Sequence, residues 1–337
     1  MIKILLDVLG GDLGYAEAVK GAVNSVNKFD VIITLVGPKD KIEKELLKYK
    51  YDTSKIEIVD AQDEISCNDI PTVAIKQKVN SSLVVGFNEF KKDEYSAYLS
   101  AGSTGAVLTG GILKIGRIKG VNRPALCPML PTVNDGKVML IDCGANVDSK
   151  PLNIIQFALM ANEYMKNVEK VENPRIALLN IGTEENKGND LSKESYQNLK
   201  NLPINFIGNL EAREFLSGSA DVVVSDGFSG NILLKGTEGA VMMVLKQLKH
   251  EIKSSFMAKI GYLFMKKSFK RLRKKLDTNA YGGSIFLGLK KLLIKLHGSS
   301  TAKAYEIAIE QAIKFNENKV IEKIEQNLNL AVDGENE

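Results

Sequence analysis

The sequence predicts an α/β protein with a largely parallel β-sheet sandwiched by helices. Three observations carry this reading. Seven short runs rich in Val, Ile and Leu recur along the chain, helical patterns separate them, and the runs are almost continuously apolar. Strands covered on both faces have that composition, and parallel neighbours need helical crossovers between them.

Each run has a place in this scheme. IKILLDVLGG (2–11) is the first strand, and it ends in a loop containing Gly10, Gly11 and Asp12. DVIITLVG (30–37) and KIEIVDA (55–61) follow. SAYLSAG (96–102) leads into Ser103, Thr104 and Gly105. KVMLIDCG (137–144) continues as DCGANVDSKP, which carries Gly144, Asn146 and Lys150. PRIALLNIG (174–182) opens into NIGTEENKGND with Lys187, and SADVVVSDG (219–227) into SDGFSGN with Asp226 and Asn231. The last of these loops is LHGSST (296–301), with His297, Ser299 and Ser300. Behind it TAKAYEIAIEQAIKF has the period of an amphipathic helix, for which Ser299 and Ser300 are the expected N-caps.

Six small-residue loops thus enter, or soon precede, a helix. In open parallel sheets such loops lie at the carboxyl edge, where ligands bind. Glycine lets backbone N–H groups approach an anion, and helix N-termini favour negative charge. Six loops of this kind, with Lys150 and Lys187 embedded in two, point to an anionic ligand. Plainer roles exist for each residue. Lys150 and Lys187 fit solvated turns, and Asn146 and Asn231 fit caps or turns. Asp7, Asp12, Asp142 and Asp226 at strand ends fit capping better than a magnesium site. His297 fits a hydrogen-bonded residue before a capped helix.

Composition excludes several classes. Two histidines and three unpaired cysteines (Cys67, Cys127, Cys143) leave no His/Cys zinc site and no HExxH motif, so no metal is expected. Neither GxGxxG nor GxxxxGK[ST] occurs, so no nucleotide cofactor is expected. The odd cysteine count and the lack of a signal peptide predict a reducing, cytoplasmic setting. With 44% apolar residues the chain can fill a large core. We expect one catalytic α/β unit over 1–326, with prolines clustered in Asn122–Pro131, and a polar tail over 327–337. Between Lys246 and Lys275 stand eleven Lys and Arg against one acid, Glu251, so this segment carries +10 and the rest of the chain −6. That charge predicts a protruding basic arm at about 246–276, not a nucleic-acid-binding body. Within it, Phe256, Ile260, Leu263 and Phe264 form one apolar stripe, and Phe269, Leu272 and Leu276 a second beyond Lys266 and Lys267. Two short amphipathic helices meeting an anionic membrane surface would have this pattern; so would a dimerisation helix with a solvated basic face.

The ordered set DVLGGD, SAGSTGAVLTGG, NRPAL, DCGANVDSKP, NIGTEENKGN, DGFSGNILLKGTEG and KLHGSS, spanning about residues 1–315, resembles the PlsX-type phosphate acyltransferases. The family usually has Ala-Met at Val8-Leu9, Asn at Ser103 and KSHGSSD at 295–301, so fine contacts differ here. The resemblance implies a fold like isocitrate dehydrogenases and phosphotransacetylases, and a homodimer associated peripherally with the membrane. It implies transfer of a fatty acyl group from acyl carrier protein to inorganic phosphate, for phospholipid synthesis. Lys150, Lys187, Asn146, Asn231 and His297 are then the expected catalytic groups. Gly10, Gly11, Asp12, Ser103, Thr104, Gly105, Gly144, Asp226, Ser299 and Ser300 would bind phosphate, with no cofactor. A phosphotransacetylase-like enzyme using acyl-CoA and a non-catalytic membrane scaffold are the alternatives.

Overall fold

The computed structural model describes residues 1–276 and 281–333. Its first half comprises β1 (Ile2–Asp7), α1 (Tyr15–Val26), β2 (Val31–Gly37), α2 (Lys39–Leu46), β3 (Ile56–Asp60), α3 (Pro71–Gln77), α4 (Ser82–Phe90), β4 (Ala97–Ser100) and α5 (Thr104–Gly110). Next come β5 (Ala125–Cys127), β6 (Met129–Pro131), β7 (Lys137–Ile141), α6 (Pro151–Asn167), β8 (Ile176–Asn180), α7 (Asp190–Lys200), β9 (Phe206–Glu211) and β10 (Val222–Val224). The chain closes with α8 (Gly227–Ser254), α9 (Phe256–Lys275), β11 (Ser284–Leu287), β12 (Leu292–Lys295), α10 (Ala302–Glu317) and α11 (Val320–Asp333).

All seven expected runs are strands, but they divide between two sheets. One has the order β3-β2-β1-β4-β12-β11-β5, the other β6-β7-β10-β8-β9. Pairing is parallel except where β11 meets β12 and β5, and where β6 meets β7. The chain passes from the first sheet to the second at Pro128, between β5 and β6. A proline has no N–H for a ladder, so a strand breaks there at little cost. Two apolar clusters fill the interior, and each draws on both sheets. One includes Ile4, Ile33, Ile141 and Ile176, the other Leu5, Val138, Leu140 and Val223. Neighbouring residues of a strand point to opposite faces, so the inner strands of both sheets are buried on both faces, while the edge strands β3 and β9 are partly exposed.

The basic arm is a helical hairpin. The break expected at Lys266-Lys267 lies instead at Ser255, whose hydroxyl accepts the Ala258 N–H at 3.3 Å and caps α9. Lysine is a good helix former, so α9 runs unbroken through the pair. Helix α9 returns along α8, so that Arg273 and Leu276 line one cleft with Val241 and Leu245, and within α9 the Tyr262 and Phe269 rings lie 5.4 Å apart. The two expected stripes therefore fare differently. Phe256, Ile260, Leu263 and Phe264 are exposed beside exposed Lys266 and Lys267, whereas in the second stripe Phe269 and Leu276 are half-buried and only Leu272 is exposed. The tail expected from 327 is still helical to Asp333, because Val320, Ile324 and Leu328 of α11 are buried and α11 packs on α6. Residues 334–337 lie outside the described residues.

Candidate active site

The six loops follow β1, β4, β7, β8, β10 and β12, at the carboxyl ends of parallel strands. Those after β4, β7, β10 and β12 surround one cavity of about 310 Å³. Its walls include Thr104, Gly144, Asn231, Lys295 and His297, with Leu126 and Met129 from the crossing between sheets.

The β1 loop supports this cavity from behind. Gly10 has φ 80°, and a Cβ there would lie 2.6 Å from the Gly102 Cα, so the β1 and β4 loops touch backbone to backbone. The Asp12 N–H donates to the Gly298 carbonyl at 2.7 Å, tying β1 to the β12 loop. Buried Asp7 accepts the Ser100 hydroxyl at 2.7 Å and the Leu9 N–H at 3.0 Å, and burial raises its pKa to about 6.

In the second sheet Asp142, fully buried, organises the β7 loop. It accepts the N–H groups of Leu126 (2.9 Å), Ala145 (3.2 Å) and Asn146 (2.7 Å), and the Asn146 amide at 2.9 Å. Desolvation still pushes its pKa up. The Asn146 amide also donates to the Pro124 carbonyl at 2.8 Å, so both its N–H bonds serve the loop. Asn146 lies outside the cavity wall. Asp226 likewise caps α8, accepting the Ser229 N–H at 2.8 Å. The first turn of α8 then sits on the Asp142 loop, since the Gly227 N–H donates to the Asn146 carbonyl at 2.8 Å. This brings Asn231 beside Gly144 at the cavity wall.

Two expected lysines stand apart. Lys150 is exposed before α6, and its N–H donates to Asn153 Oδ1 at 2.8 Å. Lys187 is exposed on the β8 loop, with Nζ 3.8 Å from Glu184. Neither lines the cavity. Ser103 precedes α5 without a side-chain cap, and Gly105 lies against Pro71.

At the β12 loop, His297 is exposed, with Nδ1 2.8 Å from the Ser299 hydroxyl and accepting the Ser299 N–H at 3.2 Å. The N-cap of α10 is Thr301, one residue later than expected, and Ser300 is buried. The helix N-terminus is not simply open to an anion: Glu17 of α1 accepts the Ala302 N–H at 2.5 Å. A carboxylate of the protein itself already occupies part of that positive end.

The residue that sequence reasoning missed is Lys295. Its Nζ donates to the carbonyls of Ala101 (3.3 Å) and Leu296. An ammonium has three N–H bonds, so one remains for a ligand. Burial lowers its pKa to about 8, against the nearby Cys67, Asp12 and Asp7, which favour the charged form. A signal existed: in LLIK, Lys295 shares a strand face with fully buried Leu293, so a lysine stands where alternation demands an apolar residue.

The comparisons with known proteins agree on this chain. The family model described as "Fatty acid synthesis protein" matches residues 2–323. A phosphate acyltransferase of Clostridioides difficile (strain 630) is 46% identical over 325 residues, 96% of each chain. A phosphate acyltransferase of Alkaliphilus oremlandii is 45% identical over 99% of each. Among solved structures, a phosphotransacetylase from Streptococcus pyogenes superposes with TM-score 0.59 at 17% identity, over 95% of this chain and 94% of that one. A branched-chain phosphotransacylase from Enterococcus faecalis V583 gives 0.56 at 16%, over 93% and 98%. At these identities the structural likeness establishes the fold.

Proposed function

The chain belongs to the phosphate acyltransferase family and transfers an acyl group to phosphate, and from that premise we propose that the donor is a fatty acyl thioester of acyl carrier protein, the product acyl phosphate feeding phospholipid synthesis. Family membership sets aside the non-catalytic scaffold. The observation that supports the chemistry is the meeting of Lys295 and His297 from the end of β12, Asn231 from the start of α8 and Thr104 from the β4 loop around one cavity.

A phosphate oxygen attacks the thioester carbonyl carbon, and the tetrahedral oxyanion collapses with expulsion of the thiolate. Near neutral pH a substantial share of phosphate is already the dianion, so it needs little general-base help. The thiolate leaves readily, its thiol having a pKa of about 8.5. The work left to the protein is to hold phosphate against the carbonyl and to stabilise the oxyanion. In our reading Lys295 and the Thr104 hydroxyl hold phosphate, while His297 and Asn231 donate to the developing oxyanion. Lys150 and Lys187 are proposed to approach from the rim when substrate is bound. The exposed contact between Lys187 and Glu184 is weak enough to be exchanged for a phosphate.

The peripheral role of the hairpin belongs to the same proposal. No helix of the described residues is long and apolar enough to cross a membrane. The exposed stripe of Phe256, Ile260, Leu263 and Phe264 beside Lys266 and Lys267 supports contact with anionic lipid, and exposed Ile232, Met243 and Val244 on α8 support a homodimer. The deciding experiment offers phosphate with acyl-carrier-protein or acyl-CoA donors and measures acyl phosphate. Turnover with the carrier-protein donor is expected; turnover with CoA thioesters alone would overturn the donor assignment.

A further inference from the structure

We propose that a second cavity, between α8 and the β6 edge, receives the hydrocarbon chain of the acyl donor. This rests on reading the neighbouring polar cavity as the acyl-transfer site. The second cavity measures about 550 Å³, and Leu130, Pro131, Leu216, Val241 and Leu245 give it apolar walls. The two cavities share a wall, since Leu130, Glu238 and His297 line both. A group whose carbonyl lies beside His297 therefore has one apolar space next to it.

Helix α8 joins the two. Asn231, Leu234 and Glu238 face the polar cavity, and Glu238, Val241 and Leu245 the apolar one. Steps of three and four residues keep them on one helix face. From Asn231 to Leu245 the helix advances about 21 Å at 1.5 Å per residue, the reach of an extended long-chain acyl group. Leu276, just past the end of α9, adds to the lining of the apolar cavity. The stripe thus begins with the Asn231 amide, passes the Glu238 carboxylate where the two cavities meet, and ends in the hydrocarbon of Val241 and Leu245 on the side where the tail of a fatty acyl group would lie.

The test uses the full-length protein and phosphate with acyl donors from butyryl to palmitoyl. In the wild type kcat/KM is expected to rise about fourfold per methylene, the equivalent of ~0.8 kcal/mol each, until the cavity is full. Val241→Trp should cut the palmitoyl-to-butyryl ratio by at least tenfold, and Leu245→Trp, farther from His297, by less. An unchanged ratio in both folded variants would overturn the proposal. Should either variant fail to fold, wild-type protein photolysed with a donor carrying a terminal diazirine decides the matter. Cross-links on α8 between 237 and 245 are expected, and cross-links confined elsewhere overturn the assignment. Failure of the underlying reading looks different, since Asn231→Ala, at the wall of the polar cavity, would then turn over donors of every length at the wild-type rate.

Discussion

Ser299 donates its backbone N–H to Nδ1 of His297 at 3.2 Å, so Nδ1 is the acceptor and the neutral ring carries its proton on Nε2. That leaves Nε2–H as a donor towards the cavity that His297 lines. We therefore expect His297→Gln, which keeps an N–H donor, to retain measurable turnover, and His297→Ala to lose on the order of a hundredfold, as for one oxyanion donor. Complete inactivity of a folded, phosphate-binding His297→Gln protein would mean essential proton transfer.

Lys295 should give the reaction an alkaline limb. Its ammonium loses its proton near pH 8, so kcat/KM falls as pH rises through about 8, and Lys295→Arg moves that limb upward. For stability the sign is opposite. The folded pKa is below the ordinary value of 10.5, so the unfolded chain binds more protons between about pH 8 and 10.5, and stability rises with pH across that window. Lys295→Met should therefore raise the melting temperature at pH 7 while losing most activity. An unmoved limb in Lys295→Arg would remove this residue from phosphate binding.

Asn146 and Asn231 look alike in sequence and should fail differently. Asn146→Ala strands the Pro124 carbonyl and a lobe of Asp142, which costs about 1–3 kcal/mol and lowers the melting temperature. Asn231→Ala, Lys150→Ala and Lys187→Ala should melt as the wild type does, with turnover reduced roughly a hundredfold by analogy with a lost oxyanion donor. Calorimetry and single-turnover rates on the four variants check the division; near-normal rates for the two lysine variants would confine the chemistry to the cavity wall.

The hairpin should sediment with anionic vesicles and not with zwitterionic ones, in a salt-sensitive way, since each basic residue near such a surface contributes about 1 kcal/mol. Replacing Leu263 and Phe264, exposed by 68% and 86%, with Glu should abolish sedimentation and spare turnover in solution. Normal vesicle binding by that variant would show that α9 is not the anchor.

Much of this was legible before any coordinates. The seven apolar runs are strands because burial, on both faces for all but the edge strand β3, leaves their composition little alternative, and the loops after them lie at the carboxyl edge of each sheet because parallel pairing puts them there. The strands β5, β6, β9, β11 and β12 were not: four of them have only three or four residues and so carry no period, and β9, FIGNLE, is an edge strand interrupted by Gly208 and Asn209. The fate of each loop polar group was illegible for a different reason. Whether an Asn faces a cavity or braces a turn depends on partners distant in sequence, as Asn146 depends on the Pro124 carbonyl. Lys295 was readable in principle, through its strand face, but only once LLIK is known to be a strand.

The position of β12 has a consequence for how the chain is made. It lies between β4 and β11 in the first sheet, yet nearly two hundred residues separate it from the end of β4. At 5–20 residues per second a ribosome needs roughly 10–40 s to supply them. During that time β1, β2, β3 and β4 can pair while one side of β4 stays an open hydrogen-bonding edge. Lys295 and His297 arrive with the strand that closes that edge, so the newborn chain gains its finished sheet and its chemistry in the same event.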